Sequence, residues 1–383
     1  MRVSRIQLIN WRNFQHVDVD LSNRMFIVGP NASGKSNLLD VFRFLRDIVV
    51  AGGGIQRAVE DRGGLSKIRC LAARSEPTVQ VKVALSENGA DAPEWQYNLS
   101  LRVESRGHRR VLVDKEQVWQ RHELILSRPD ENDDKDEERL TQSHLEQIGS
   151  NQEFRPISKF FGGVSYLHLI PQVVRNPEAF SGPGMPVEDP FGRGFLDRVI
   201  RTPKTIRRSR LRRIEQALRV AVPQLRDLSD VQDQTGTPHL EAVYEHWRPN
   251  AGKQREDQFS DGTLRLIGLF WAMLESDPLL LLEEPELSLN AAIVSHLPSL
   301  LYRLQRQSQK QLIVSTHSFD LLTDRGIGAE EVLVLSPGEQ GTDVRLASSL
   351  GEIHGLLHGG MTLGDALQPY MAPKDIGQIE LAL

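Results

Sequence analysis

Gly29-Pro30-Asn31-Ala32-Ser33-Gly34-Lys35-Ser36 decides how this 383-residue chain is read. The octet fits G-x-x-x-x-G-K-[ST] without a mismatch. From average residue frequencies a chain of this length shows that pattern by chance roughly once in a hundred times. Glycines let backbone N–H groups turn inward around phosphates, and a helix starting at Lys35 aims its positive end at them. The flanks agree. Met25–Val28 reads as a short buried strand, and Lys35 to about Val50 as a helix with Leu38, Leu39, Phe42, Leu45 and Val49 on one face. ATP with Mg²⁺ is the expected ligand: Asn31, Ala32, Ser33, Gly34 and Asn37 line it, Lys35 reaches the β- and γ-phosphates, and the Ser36 hydroxyl ligates the metal. The bland alternative is a glycine turn between strand and helix with a solvated lysine.

Upstream, Val3–Ile9 and Val17–Leu21 read as strands. Downstream, Ala51-Gly52-Gly53-Gly54 ends the helix, and strands are expected over Thr78–Leu85, Trp95–Val103 and Arg110–Trp119, with turns at Asn88-Gly89, Pro93 and Gly107. The acidic run 130–138 is expected to be a solvated or disordered loop, and about Thr141 to Ile148 a helix. Residues 171–194 hold five prolines and read as irregular. Phe195–Val222 reads as one arginine-rich helix. The last third alternates: helix Leu264–Leu274, strand Leu279–Leu282, helix Ala291–Gln307, strands Gln311–Ser315 and Glu331–Leu335. Such β/α alternation argues for a parallel core sheet.

The continuous leucines Leu279–Leu282 suit a strand covered on both faces, and Glu283-Glu284 stand at its carboxyl end, where open α/β sheets bind ligands. Glu283 is expected to hold Mg²⁺, through water, and Glu284 to act as base toward the water attacking the γ-phosphate. Gln258-Phe259-Ser260-Asp261-Gly262-Thr263 precedes a helix and is expected to form a second anion site through Ser260, Gly262 and the helix start. Thr316-His317-Ser318 follows a strand, placing His317 to bond the γ-phosphate. A lone histidine there is more often an ordinary residue, and His317 gains weight only from its company.

In this order the motifs resemble the ABC ATPase heads, specifically the RecF, SMC and OLD-like branch. Ile6-Gln7-Leu8-Ile9-Asn10-Trp11-Arg12-Asn13-Phe14, Asn37, Glu284-Pro285-Glu286 and Ser315-Thr316-His317-Ser318 carry the resemblance, which is good over 1–50 and 255–335 and loose between. It implies a head-to-tail homodimer with two ATPs sandwiched, Lys35 and Ser36 of one protomer facing Ser260 and Gly262 of the other, and Ser288-Leu289-Asn290 beside the interface. Phe-Ser-Asp-Gly-Thr departs from the usual Leu-Ser-Gly-Gly-Gln, and Glu283 stands where many relatives have aspartate. Gln56 is a candidate for the metal-bridging glutamine, and Arg57, Arg62 and Arg69 for phosphate contacts or a solvated face.

The expected architecture is an α/β P-loop ABC-head fold with an antiparallel β layer: residues 1–120 and 256–383 form the head, and 121–255 a mainly helical insertion. The net charge is −5, so any DNA binding must be local. Between Arg198 and Arg219 nine basic residues face one acid, Glu215, which fits either a DNA contact or a solvated face with ion pairs, among them pairs to the 130–138 acids. The lone Cys70 fits a reducing, cytoplasmic setting and a buried apolar role; no signal peptide or membrane span is expected. ATP hydrolysis in DNA repair or anti-phage defence, beside a separate nuclease or effector, is the favoured function. A slowly hydrolysing ATP-gated scaffold and a transporter ATPase subunit are the alternatives.

Overall fold

The computed structural model describes residues 1–73, 77–90, 92–104, 109–180, 191–245 and 252–372; the turn expected at Gly107 and residues 181–190 of the proline-rich loop lie outside them. The strands are β1 Arg2–Trp11, β2 Phe14–Asp20, β3 Arg24–Val28, β4 Val79–Ser86, β5 Trp95–Val103, β6 Val111–Gln120, β7 Glu123–Arg128 and β8 Val164–Leu167. They continue with β9 Leu225–Gln232, β10 Pro238–Tyr244, β11 Lys253–Arg255, β12 Leu279–Glu283, β13 Gln311–Ser315, β14 Val332–Gly338 and β15 Gly341–Leu346. Two compact units emerge. The first comprises Met1–Val164, Asp277–Leu281 and Gln309–Leu383; the second comprises Ser165–Ser276 and Leu282–Ser308.

The first unit holds an antiparallel sheet in the order β2-β1-β4-β5-β6-β7. Its strands alternate as half-buried strands do; Val79, Val81 and Val83 of β4 are buried while Gln80 and Lys82 are half-exposed. The other sheet runs β15-β14-β3-β13-β12-β8, and the first unit takes Leu279–Leu281 of β12 and Val164 of β8. At its centre β3 pairs in parallel with β13, Leu312 opposite Arg24 and Ser315 opposite Ile27, and in parallel with β14 on its other edge. All residues of β3 and β13 are buried, as expected of parallel strands covered on both faces. Cys70 is buried and unoxidised.

Several expectations fail here for local reasons. The acidic run is mostly exposed, as expected, but it is not a loop. Asp130 caps the helix Glu131–Lys135 in a capping box with Asp133, and the Asp133 side chain is fully buried against Arg128 and Arg139. The stretch 141–148 is not a helix, because the amides of His144 and Leu145 donate to the Glu116 carboxylate (2.9 and 3.3 Å) rather than to a preceding turn. β7 was not foreseen. Its two-residue hairpin, Arg121-His122, carries no glycine or asparagine, and Arg121 adopts φ 53 instead.

Glu146 lies in this same stretch. Its Oε2 accepts the amide of Ile55 at 2.7 Å, at the start of the helix Ile55–Glu60. Gly54 holds φ 110 there, and a Cβ on it would stand 2.7 Å from that oxygen. Burial raises the Glu146 carboxyl to about 7, against the opposing pull of the Ile55 amide. A carboxyl with a raised folded pKa contributes stability that is complete below its unfolded value and lost as pH climbs through about 7. Glu146→Gln keeps an acceptor without the charge. Its melting temperature is expected to match wild type at pH 4, to exceed it increasingly as pH rises toward 7, and to keep a constant advantage above that; parallel pH curves would refute this.

The second unit contains the antiparallel sheet β11-β10-β9, closed by a turn in which Asp233 Oδ1 accepts the amides of Thr235 and Thr237 (2.8 and 2.9 Å). The segment read as mainly helical thus also carries strands. Its arginine-rich helix is two: Phe195–Arg201 and Lys204–Ala221. Pro203 has no N–H and disfavours helical geometry at Thr202, so the chain turns there. Likewise Ala291–Val294 and Leu297–Ser308 replace one expected helix.

Candidate active site

In the first unit β3 ends at Val28 and the phosphate loop follows. Ala32 and Gly34 take φ 61 and 99, and the helix Lys35–Val49 then begins, with no acid in its first turn. The Lys35 ammonium lies inside the loop's arc, donating to Gly29 O (2.9 Å) and Pro30 O (3.1 Å). His317, just past the carboxyl end of β13, brings Nδ1 to 3.4 Å from Lys35 Nζ, because β13 pairs directly with β3. Asn31, Ala32 and Ser36 are exposed around the loop, whereas Ser33 is buried with a hydroxyl that bonds no protein atom. Asn37 does not face outward: its Nδ2 donates to Asn13 Oδ1 at 2.8 Å. An ammonium, a helix start and an unpartnered hydroxyl form a donor set suited to a polyphosphate, and the Ser36 hydroxyl is a hard-oxygen donor of the kind Mg²⁺ takes.

The second unit carries the acids. Glu283 ends β12 and Glu284 follows with φ 45, a left-handed conformation that costs a non-glycine residue about 1 kcal/mol or more. The Tyr166 hydroxyl donates to Glu283 Oε2, and His168 Nδ1 lies 3.2 Å from the Glu283 carbonyl. Arg265 stands near Glu284 and Glu286; burial lowers its pKa while Asp261, Glu284 and Glu286 pull it back up. Sequence reading missed Tyr166 and His168, since no motif marks them and only their placement against Glu283 gives them meaning; Arg265 closes the stretch that begins at Gln258 but was assigned no role there.

Ser260 caps the helix Asp261–Leu274, its Oγ accepting the Thr263 amide at 3.2 Å. Asp261 in that first turn opposes an anion, but Arg175 pairs with it at 2.6 Å and also donates to Phe259 O at 2.6 Å, so the loop is held and its acid neutralised. Gly262 is required by close approach: a Cβ there would meet Ser288 O at 2.9 Å. Ser288 itself has φ 62, and Asn290 caps the next helix through the Ala292 amide.

The supplementary candidates separate. Gln56 is not disposed toward the phosphate loop, because its amide bridges Val111 O and Thr141 O (2.7 Å each). Arg62 is neither solvated nor directed at phosphate; it is buried, bonded to Asp40 and Asp47 at 2.9 Å. Arg57 pairs with Asp61 at 3.8 Å, and Arg69, an exposed residue, joins Trp11 through a backbone β-bridge only. In the arginine segment Arg207 pairs with Asp230, Arg198 and Arg210 with Glu275, and Arg219 with Glu215. The 130–138 acids instead pair with Arg102, Arg110, Arg128 and Arg139. Arg201, Lys204, Arg208 and Arg212 remain exposed. Among the described residues no His/Cys/Asp/Glu cluster could hold a metal, and no helix is long and apolar enough to cross a membrane.

Comparisons with known proteins bear on the family and the fold. Residues 24–324, well over half the chain, match the family model described as "AAA domain, putative AbiEii toxin, Type IV TA system". A 67-residue stretch is 36% identical to Endonuclease GajA of Bacillus cereus (strain VD045), spanning 18% of this chain and 12% of that protein. Among solved structures, an Smc head bound to the C-winged helix domain of ScpA is similar with TM-score 0.53 and 15% identity, over 91% of this chain and 99% of that one. An Smc head domain with an extended coiled coil, derived from Pyrococcus furiosus and bound to the C-terminal domain of ScpA, gives 0.51 and 13%, over 93% and 99%. At such identities these two establish the fold alone. The chain belongs to this AAA-domain family and is a P-loop ATPase with the fold of an Smc head.

Proposed function

We propose that this chain binds Mg-ATP at Gly29–Ser36 and hydrolyses it with Glu284 as general base, coupling turnover to head-to-tail association of two copies. The observation that carries the reading is Lys35 inside the loop's arc with His317 beside it. Asn31, Ala32, Ser33 and Gly34 form the cradle, Asn37 braces it through Asn13 rather than lining it, Lys35 neutralises the β- and γ-phosphates, and Ser36 with Glu283 holds the metal. Bound Mg²⁺ would offset charge on the phosphate oxygens. His317 would sense the γ-phosphate, and Ser260 and Gly262 would complete the site of a second protomer.

Lys35→Ala removes charge-assisted bonds worth roughly 1.5–3 kcal/mol, so ATP affinity should fall about 10- to 100-fold. Titration with a fluorescent ATP analogue measures this. Unchanged affinity would sink the proposal.

The finer biological setting is DNA repair or anti-phage defence with a partner nuclease or effector; local likeness to an endonuclease supports it. A DNA contact would use the exposed Arg201, Lys204, Arg208 and Arg212. The last three recur every four residues along one helix, a like-charged stripe that a phosphate backbone would relieve.

A further inference from the structure

Asn13 stands at the turn between β1 and β2, and its carboxamide reaches three separate elements of the first unit. Nδ2 donates to Ser33 O in the phosphate loop (2.8 Å) and to Thr342 Oγ1 at the start of β15 (2.7 Å). Oδ1 accepts from Asn37 Nδ2 in the first turn of the following helix. Both donor hydrogens and one acceptor position are therefore engaged. The backbone adds to the clasp: Thr342 N donates to Asn13 O at 2.8 Å, and Trp11 Nε1 donates to Asn37 O at 2.9 Å. Two glycines make room for it. A Cβ on Gly34 would lie 2.2 Å from Asn13 Nδ2, and one on Gly341 would lie 2.6 Å from Asn13 O.

We infer that Asn13 is a positioning residue for the phosphate loop, with Thr342 as its anchor; this rests on reading Gly29–Ser36 as the ATP site. A trans peptide is planar, so its C=O and the next N–H point in opposite directions. Holding the Ser33 carbonyl toward Asn13 therefore aims the Gly34 N–H away from it, toward the concave side of the loop. The Asn37 bond fixes the first helical turn in the same act. A loop held in its binding conformation before the ligand arrives loses less freedom on binding. Asn13 thus raises ATP affinity through Ser33 and Asn37.

The test uses the full chain as wild type, Asn13→Ala, Asn13→Asp and Thr342→Val. Each is titrated with a fluorescent ATP analogue, melted, and followed by hydrogen exchange over residues 29–37. Asn13→Asp is isosteric and can still accept from Asn37 and Thr342, but it turns an acceptor toward the Ser33 carbonyl. Both Asn13 variants should bind ATP about tenfold more weakly, the loss of a hydrogen bond left without its donor. KM should rise by more than the saturated rate falls, and exchange should quicken at the loop rather than throughout. Thr342→Val should show the same pattern in smaller measure. A merely structural role would lower the melting temperature and leave the affinity of the folded protein alone; that result, or wild-type affinity in Asn13→Ala, overturns the inference. Should Asn13→Ala not fold, wild-type affinity in both Asn13→Asp and Thr342→Val overturns it equally. Wild type without ATP affinity would instead overturn the phosphate-loop reading, and this inference with it.

Discussion

Glu284→Gln should lower steady-state ATP hydrolysis by about 10²- to 10⁴-fold, the range a positioned general base contributes, while leaving ATP affinity close to wild type. Glutamine has the same shape and still accepts a hydrogen bond, but it cannot take a proton from water. The backbone at Glu284 favours a functional reading. φ 45 is unfavourable for a residue with a Cβ, and the tight turn that imposes it is closed by Leu287 N donating to Glu284 O at 3.2 Å. Glutamine, like alanine, removes one of the charges that favour the Arg265 cation, but unlike alanine it keeps the side chain's volume and a hydrogen-bond acceptor. Because the glutamine variant retains nucleotide, ATP should accumulate a dimer detectable by size; ADP should not. Hydrolysis within a few-fold of wild type would remove Glu284 from the role of base. A variant that binds ATP yet stays monomeric would remove the sandwich from the mechanism.

What the sequence disclosed follows from how local each signal is. The phosphate loop was legible because its chemistry needs particular residues at fixed spacing, and β3, β13 and β12 because buried strands are continuous apolar runs. Glu283 and Glu284 were legible as the end of such a run. Asn13 appeared only as part of a resemblance, since its partners Ser33, Asn37 and Thr342 lie up to 329 positions away. The break at Pro203 was locally written and was overlooked in reading Phe195–Val222 as continuous helix. The arginine segment misled through counting. Charge density does not distinguish Arg207, half-buried against Asp230, from Arg208, which faces outward. The acidic run misled the same way, although Asp130 and Asp133 have the spacing of a capping box and Arg128 and Arg139 flank it.

That run leads to the largest expected effect on stability. The Arg128 side chain is 0% exposed, and all five of its N–H groups are bonded. Nε and Nη2 hold Asp133 (3.0 and 2.8 Å), Nη1 holds Glu116 Oε2 (3.1 Å) and Gln142 O (3.0 Å), and Nη2 also holds Arg139 O (2.9 Å). Both carboxylates are as buried as the guanidinium. Arg128→Met keeps much of the volume and removes the cation that both buried carboxylates share, so the folded state should lose about 3–5 kcal/mol. In a chain this size the melting temperature should drop on the order of 10 °C. The pH dependence gives the prediction its sign. Burial alone would raise the Asp133 carboxyl, but the bonds from Arg128, the Asp130 amide and Arg139 overcome it and bring the pKa down to about 2. A depressed folded pKa contributes stability that is present above the unfolded value and disappears as pH falls through about 2. The deficit of Arg128→Met should therefore be full at pH 7 and shrink as acid neutralises Asp133. Adding Glu116→Gln and Asp133→Asn to Arg128→Met should recover part of the loss at pH 7, since no uncompensated charge then remains inside. A loss below about 1 kcal/mol, or one independent of pH, would mean the cluster is solvated in solution and does not hold the β6–β7 edge as described.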